Sequence, residues 1–224
     1  TEYLKLVGGV RYEKVETDYS SWGIQESTPL DSKLDTLAGQ EGISIRTNDF
    51  LLPMFNVKIM PVEWMDIRLA YTQSIARPRY SSFMAKYFLS FDGDLRDIGN
   101  PSLTPALSHN YDAYLSFNTK KLGLFTLGGF IKTIEGFEYV RNFNNANPLS
   151  VERIKSILPY KFPKTYASMR SVAGFAVNNA FDSYVKGVEA DWQTTFWYLP
   201  KPFNGLTFSA NYTYNVSEQT EIRE

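Results

Sequence analysis

No cysteine occurs among the 224 residues, which excludes disulfides, thiolate metal sites and cysteine nucleophiles together. A single histidine likewise excludes a multi-histidine metal centre. Neither sign of charge is in excess: 23 lysines and arginines stand against 24 aspartates and glutamates, for a net charge of -1. A nucleic-acid partner would call for a concentrated basic face, so none is expected. Mean hydropathy is -0.29, and no apolar run approaches the roughly 18 residues of a membrane helix. Thr1-Glu2-Tyr3 opens without a basic region and apolar core, so no secretory leader is expected within this chain. What the chain does hold is aromatic residues, 16% of the total, with 15 Tyr and 16 Phe. Aromatics at this density point toward β structure.

Period-2 alternation is the dominant pattern. Leu4, Leu6, Val10 and Tyr12 alternate with Lys5, Arg11 and Glu13. Leu51, Phe55, Val57 and Ile59 oppose Met54, Asn56 and Lys58. Ile67, Leu69 and Tyr71 oppose Asp66, Arg68, Thr72 and Ser74. Tyr111, Ala113, Leu115 and Phe117 oppose Asp112, Ser116 and Asn118. Tyr184, Val188, Trp192 and Phe196 oppose Ser183, Glu189, Asp191 and Gln193. Leu206, Phe208, Ala210, Tyr212 and Tyr214 oppose Thr207, Ser209, Asn211, Thr213 and Asn215. A seventh strand over 123–139 alternates less cleanly around Gly128-Gly129, with Phe125, Leu127 and Ile131 as its apolar set.

A soluble sandwich also alternates, so two further features decide the environment. Several strands reach the ~10 residues a tilted strand needs to cross a bilayer, beyond the usual five or six of a soluble strand. Connections also alternate strictly between short and long. Residues 61–64, 120–123 and 200–205 are short turns, while about 16–49, 77–108 and 140–179 are long loops. Loops beyond ~15 residues are uncommon in soluble domains. Short turns at one end and long loops at the other is the plan of an outer-membrane barrel, with periplasmic turns and extracellular loops. Trp64, Phe196, Trp197 and Tyr198 lie beside the short turns, and Tyr71, Tyr212 and Tyr214 toward the long loops, as two interfacial girdles would. Seven strands would leave open edges in lipid, so a portion of a larger barrel is expected.

Gly99-Asn100-Pro101-Ser102-Leu103-Thr104-Pro105, followed by Ser108, Asn110, Tyr111 and Asp112, resembles a signature of TonB-dependent outer-membrane transporters. Ala76-Arg77-Pro78 resembles the strand-end element of that family, and Gly187-Val188-Glu189 its Gly-x-Glu strand. Gly8 to Glu13 and Leu206 to Tyr214 are similar to other family strands, and the whole set occurs in the family's order. Alanine at 106, where a charged residue is common, and Asp112 in place of Glu depart from the pattern. The resemblance implies an all-β, antiparallel transmembrane segment, about seven strands of a 22-stranded barrel. A plug domain, absent from this chain, would close that barrel. It further implies import of a scarce nutrient (siderophore, vitamin, oligosaccharide or peptide) by TonB-driven plug displacement. The alternative is a non-transporting structural or secretion-associated barrel. Implied partners are outer-membrane lipid, the protein's own plug domain, TonB and a surface lipoprotein.

Candidate residues follow from this reading. Arg11, Arg68, Asp112 and Glu189 fall on the polar, lumen-facing side, where tethering the plug or one another is the preferred role. Arg77, Pro78, Gly99, Asn100, Pro101, Leu103, Pro105, Asn110, Tyr111 and Gly187 are structural: the prolines fix extended backbone at the rim. Trp22, Phe88, Phe91, Tyr160 and Tyr166 are loop aromatics that could stack on a ligand or pack the loops. Ser108, His109 and Asp112 suggest a hydrolase only by adjacency, which builds no triad. No cofactor is expected, with a loop calcium kept as the alternative: Asp92-Gly93-Asp94 with Asp97 faintly resembles a calcium loop, although it lacks the later bidentate glutamate of an EF-hand.

Overall fold

A computed structural model describes residues 3–22, 41–84, 87–89, 95–144 and 172–221. Seven long strands form one antiparallel sheet: β1 (Leu4–Trp22), β2 (Glu41–Val62), β3 (Met65–Ala76), β6 (Ala106–Thr119), β7 (Gly123–Glu135), β10 (Ser183–Thr195) and β11 (Thr207–Glu218). They pair in chain order, so the meander is an open strip of wall, with β1 and β11 as its edges. A smaller sheet orders β4 (Tyr87–Leu89), β5 (Leu95–Ile98), β9 (Val172–Asn178) and β8 (Glu138–Asn144) as β4-β5-β9-β8. One short helix, α1 (Tyr80–Phe83), precedes it. No helix among the described residues is long and apolar enough to cross a membrane.

Register carries the alternation across the whole wall. Directly paired residues share a face, and one row runs Leu6, Val57, Leu69, Ala113, Gly129, Val188, Tyr214. The next row toward the short turns runs Leu4, Ile59, Ile67, Leu115, Leu127, Ala190, Tyr212. Rows of the opposite face are polar, as in Lys5, Lys58, Arg68, Tyr114, Gly128, Glu189, Thr213. A single-residue slip would exchange the faces of an entire strand, so this match fixes the pairing. Among the described residues nothing covers the apolar face. Among the described residues few apolar side chains are buried, Leu52, Leu103, Ala106 and Ala176 among them, whereas Leu6, Val10, Leu69, Ile131 and Val188 are each about half exposed or more. A soluble sandwich would press a second sheet on that face.

Aromatic rings bound the apolar band at both ends. Near the short turns Trp64 stacks on Phe117 at 6.1 Å, and Trp192 meets Phe208 edge-on at 5.1 Å. The indole N–H groups of Trp192 and Trp197 donate to the turn carbonyls of Leu122 (2.7 Å) and Lys120 (2.8 Å). At the other end Tyr71 and Tyr111 lie 5.0 Å apart.

Three strand limits differ from those read in the sequence. Pairing of β1 with β2 continues from Leu4↔Ile59 to Trp22↔Glu41, so the loop expected over 16–49 is cut back from both sides. Above Tyr12 and Leu51 the formerly apolar face carries Lys14, Glu16 and Asp18 opposite Asp49, Thr47 and Ile45. A strand clear of hydrocarbon needs no apolar face, so its alternation fades while its backbone ladder continues. The strand expected over 123–139 breaks at Gly136, whose φ of +66° only glycine adopts without strain. Residues beyond it form β8 in the smaller sheet. The stretches expected as loops over 77–108 and 140–179 contain α1, β4, β5, most of β8 and all of β9, and β6 already starts at Ala106.

Candidate functional site

Arg11, Arg68, Asp112 and Glu189 all stand on the polar face. Arg68 and Glu189 share one row, with Tyr114 and Gly128 between them, and Asp112 lies in the next row beside Phe130. Asp66 binds both Arg68 (2.7 Å) and Lys58 (3.6 Å). The Tyr114 ring reclines across Gly128 and its hydroxyl donates to Glu189 Oε2 at 3.2 Å. A Cβ at Gly128 would lie 2.3 Å from that ring, so the glycine is the ring's seat. Phe130 sits in the same way over Gly187. Arg11 belongs to a separate group on β1: it pairs with Glu13 at 2.9 Å, and Glu13 also holds Arg77 from the end of β3.

The Gly99–Pro105 segment forms a knot beyond the band. Asn100 is buried; its amide donates to Ala176 O (2.8 Å), its side-chain oxygen accepts from the Ser102 N–H (2.8 Å), and its own N–H reaches Ser82 O (2.7 Å). Gly99, Pro101 and Leu103 are buried beside it. Asn178 makes three bonds across the chain: its amide donates to Thr104 O (2.8 Å) and Gly136 O (2.7 Å), and its oxygen accepts from Thr104 N (2.9 Å). Asn179 ties Phe137 O through its backbone N–H (2.8 Å) and Thr220 O through its amide (2.8 Å). Arg46 donates to Leu103 O at 2.8 Å. That residue stands beyond Leu51 and outside the apolar band, and burial lowers its guanidinium pKa from the ordinary value.

Between the extended β1–β2 ladder and this knot lies a cleft of about 430 Å³. Arg46, Arg77, Pro78, Tyr80, Leu103 and Pro105 are among its walls. Glu16, Asp18 and Asn48 also line it, so the cleft sets charged and polar groups of both signs against apolar and aromatic walls. Asn110 serves the strand ladder instead, donating to Thr72 O at 3.1 Å and accepting from Ser108 Oγ at 3.0 Å. Tyr111 faces the opposite side against Tyr71. His109 also sits on that outer side, within 3.1 Å of Tyr71 Oη and of Glu135 Oε1. Ser108 and Asp112 face the polar side, so the three share no site.

Phe91, Tyr160 and Tyr166 lie outside the described residues, as do Asp92, Gly93 and Asp94. Trp22 ends β1 and Phe88 lies in β4, with side chains also outside the description. Among the described residues no three His, Cys, Asp or Glu side chains cluster as a metal site. Sequence reasoning missed Tyr114, Asn178 and Arg46. Glycine opposite a tyrosine in adjacent strands was a usable signal for the first. The Asn178-Asn179 pair ahead of β10 was a turn marker, and nothing local singles out Arg46.

One face fit only for lipid, a polar face behind it and interfacial rings at both ends define a segment of an outer-membrane β-barrel. Residues 1–223 match the family described as TonB dependent receptor-like, beta-barrel, and the chain belongs to that family. The family is one of receptors of the bacterial outer membrane and not of enzymes. Its members work with a plug domain and with TonB.

Solved structures with the same fold include the hemophore receptor HasR of Serratia marcescens, in complex with its hemophore HasA and heme (TM-score 0.58, 16% identity, 97% of this chain and 32% of that one). Others are the copper transporter OprC (0.56, 12%, 96% and 27%) and the siderophore receptor PirA of Pseudomonas aeruginosa (0.51, 13%, 79% and 28%). At these identities the likeness is one of fold alone. This chain spans about a third of their length or less. No curated protein sequence matches it.

Proposed function

We propose that this chain is a section of the barrel wall of a multi-pass receptor that imports a scarce nutrient by TonB-driven displacement of its plug. The observation that carries the reading is the family match over residues 1–223, on a sheet whose central rows are apolar on one face and polar on the other. The short turns at 61–64, 120–123 and 200–205 face the periplasm in this reading, and the loop platform faces outward. Arg68, Asp112 and Glu189 would then look into the lumen, where a plug domain offers the charged partners such groups need. The cleft and the loop aromatics Trp22, Phe88, Phe91, Tyr160 and Tyr166 are the proposed contact surface for a siderophore, vitamin, oligosaccharide or peptide. A surface lipoprotein or other external protein is a further proposed partner.

The test is uptake of radiolabelled candidate nutrients by cells carrying the intact receptor gene, its deletion, or a TonB deletion. Uptake of one nutrient class should fall to background in both deletions. Uptake that needs the receptor but not TonB would overturn energised import. Retention of every uptake in the receptor deletion would favour a non-transporting structural barrel.

A further inference from the structure

The smaller sheet is assembled from two different interstrand connections. Strands β4 and β5 belong to the stretch between β3 and β6, whereas β8 and β9 belong to the stretch between β7 and β10. Their seam is the parallel pair β5–β9, with Asp97 opposite Gly174 and Ile98 opposite Phe175. A parallel pair cannot be closed by a tight hairpin, so this contact is made only by bringing the two connections together. The backbone seam is short. Side chains on its flank carry the rest: Asn100 reaches from the first connection to Ala176 O of the second. Asn178 reaches back to both backbone groups of Thr104 and, within its own connection, to Gly136 O.

We propose that the described parts of the two connections, residues 95–105 of the first and 136–144 with 172–179 of the second, move as one rigid body, clasped by Asn100 and Asn178. Both asparagines act as positioning residues, because what they hold is the wall of the cleft. Pro101, Leu103 and Pro105 line that cleft, and Leu103 also receives Arg46 from β2. A ligand that draws either connection inward therefore carries the other with it, and moves the cleft wall as it does so. Asparagine suits the task because one amide both donates and accepts. At 178 those two roles meet the Thr104 carbonyl and N–H at once, in the manner of a strand ladder continued by a side chain. Burial of Asn100 raises the cost of leaving its amide or Ala176 O unpaired, whereas the two Asn178–Thr104 bonds are exposed and act by holding geometry.

Amide hydrogen exchange on the intact receptor in detergent micelles tests the proposal. Asn178→Ala should speed exchange on the order of tenfold in peptides over both 99–105 and 136–144. Peptides from β3, β6 and β7 should stay at the wild-type rate. Asn178→Asp keeps an acceptor for the Thr104 N–H but loses the amide donors, so protection at Thr104 should be retained there and lost in Asn178→Ala. Asn100→Ala should loosen 99–103 and 174–178 together. Faster exchange in one connection alone, or identical behaviour of the Asp and Ala variants at Thr104, would overturn the proposal. Should the variants fail to assemble, the wild-type receptor decides the matter in a urea series. Peptides over 95–105 and 172–179 should lose protection at the same urea concentration, and two separate transitions would show two independent bodies.

Discussion

Gly128→Ala is a methyl group added beneath a tyrosine. That methyl would stand 2.3 Å from Tyr114 Cε1 and 2.4 Å from Cδ1, where ordinary contact begins at 3.4 Å. The ring must retreat by about 1 Å, and its hydroxyl, already 3.2 Å from Glu189 Oε2, then leaves hydrogen-bonding range. Overpacking of this kind costs about 1–3 kcal/mol, and a hydrogen bond to a charged group is worth about 1.5–3 kcal/mol. Tyr114 and Glu189 are only partly buried, which puts the bond at the low end of that range. Replacing a strand glycine returns roughly 0.5–1 kcal/mol by restricting the unfolded chain. The net expectation is a loss of about 2 kcal/mol. In a Tyr114→Ala background the ring is gone, and the same substitution should be neutral or slightly stabilising. Urea unfolding of the intact receptor refolded in micelles, read as a double-mutant cycle, should therefore give a coupling of about 2–3 kcal/mol. An equal cost of Gly128→Ala with and without the ring would refute the argument.

Gly187→Ala supplies a contrast: its Cβ would meet Phe130 Cζ at 2.7 Å and also the Tyr214 backbone carbonyl at 2.7 Å. Phe130→Ala should rescue it only in part, and full rescue in the same unfolding assay would show that β11 yields at no cost. Ala210→Lys, on the face it shares with Trp192, should impair assembly by roughly 2–4 kcal/mol more than Ser209→Lys on the opposite face. Heat-modifiable gel mobility of the intact receptor reads that difference, and equal tolerance would remove this strand from lipid contact. Cysteines at Glu63 and Lys121 should resist a membrane-impermeant thiol reagent on intact cells, while one at Tyr80 should label; the reverse pattern would invert the proposed topology. Trp197→Phe removes the N–H donated to Lys120 O and should cost about 1 kcal/mol in the same urea series. A stability unchanged by this substitution would mean water replaces the indole.

Within the apolar band, sequence alone determined the wall. Leu4 to Tyr12, Phe55 to Ile59 and Phe208 to Tyr214 could be placed on their faces because side-chain direction alternates residue by residue, and lipid tolerates only one assignment. Even the irregular strand β7 keeps Phe125, Leu127 and Ile131 on the apolar face. Where lipid ends, that constraint ends with it, and only the folded chain decided the rest. The upper β1–β2 ladder carries charges such as Lys14 and Asp49 on the side that is apolar lower down, so no local pattern marked it as strand. Gly136 separates β7 from β8 through its backbone conformation, which an apolar count does not register. The β5–β9 seam, the reach of Asn100 to Ala176 and the bond from Arg46 to Leu103 join positions far apart in the chain. Asparagine and arginine can bond almost any exposed carbonyl. Which carbonyl comes within reach is set by how the connections fold back on one another, and that is a property of the tertiary structure alone.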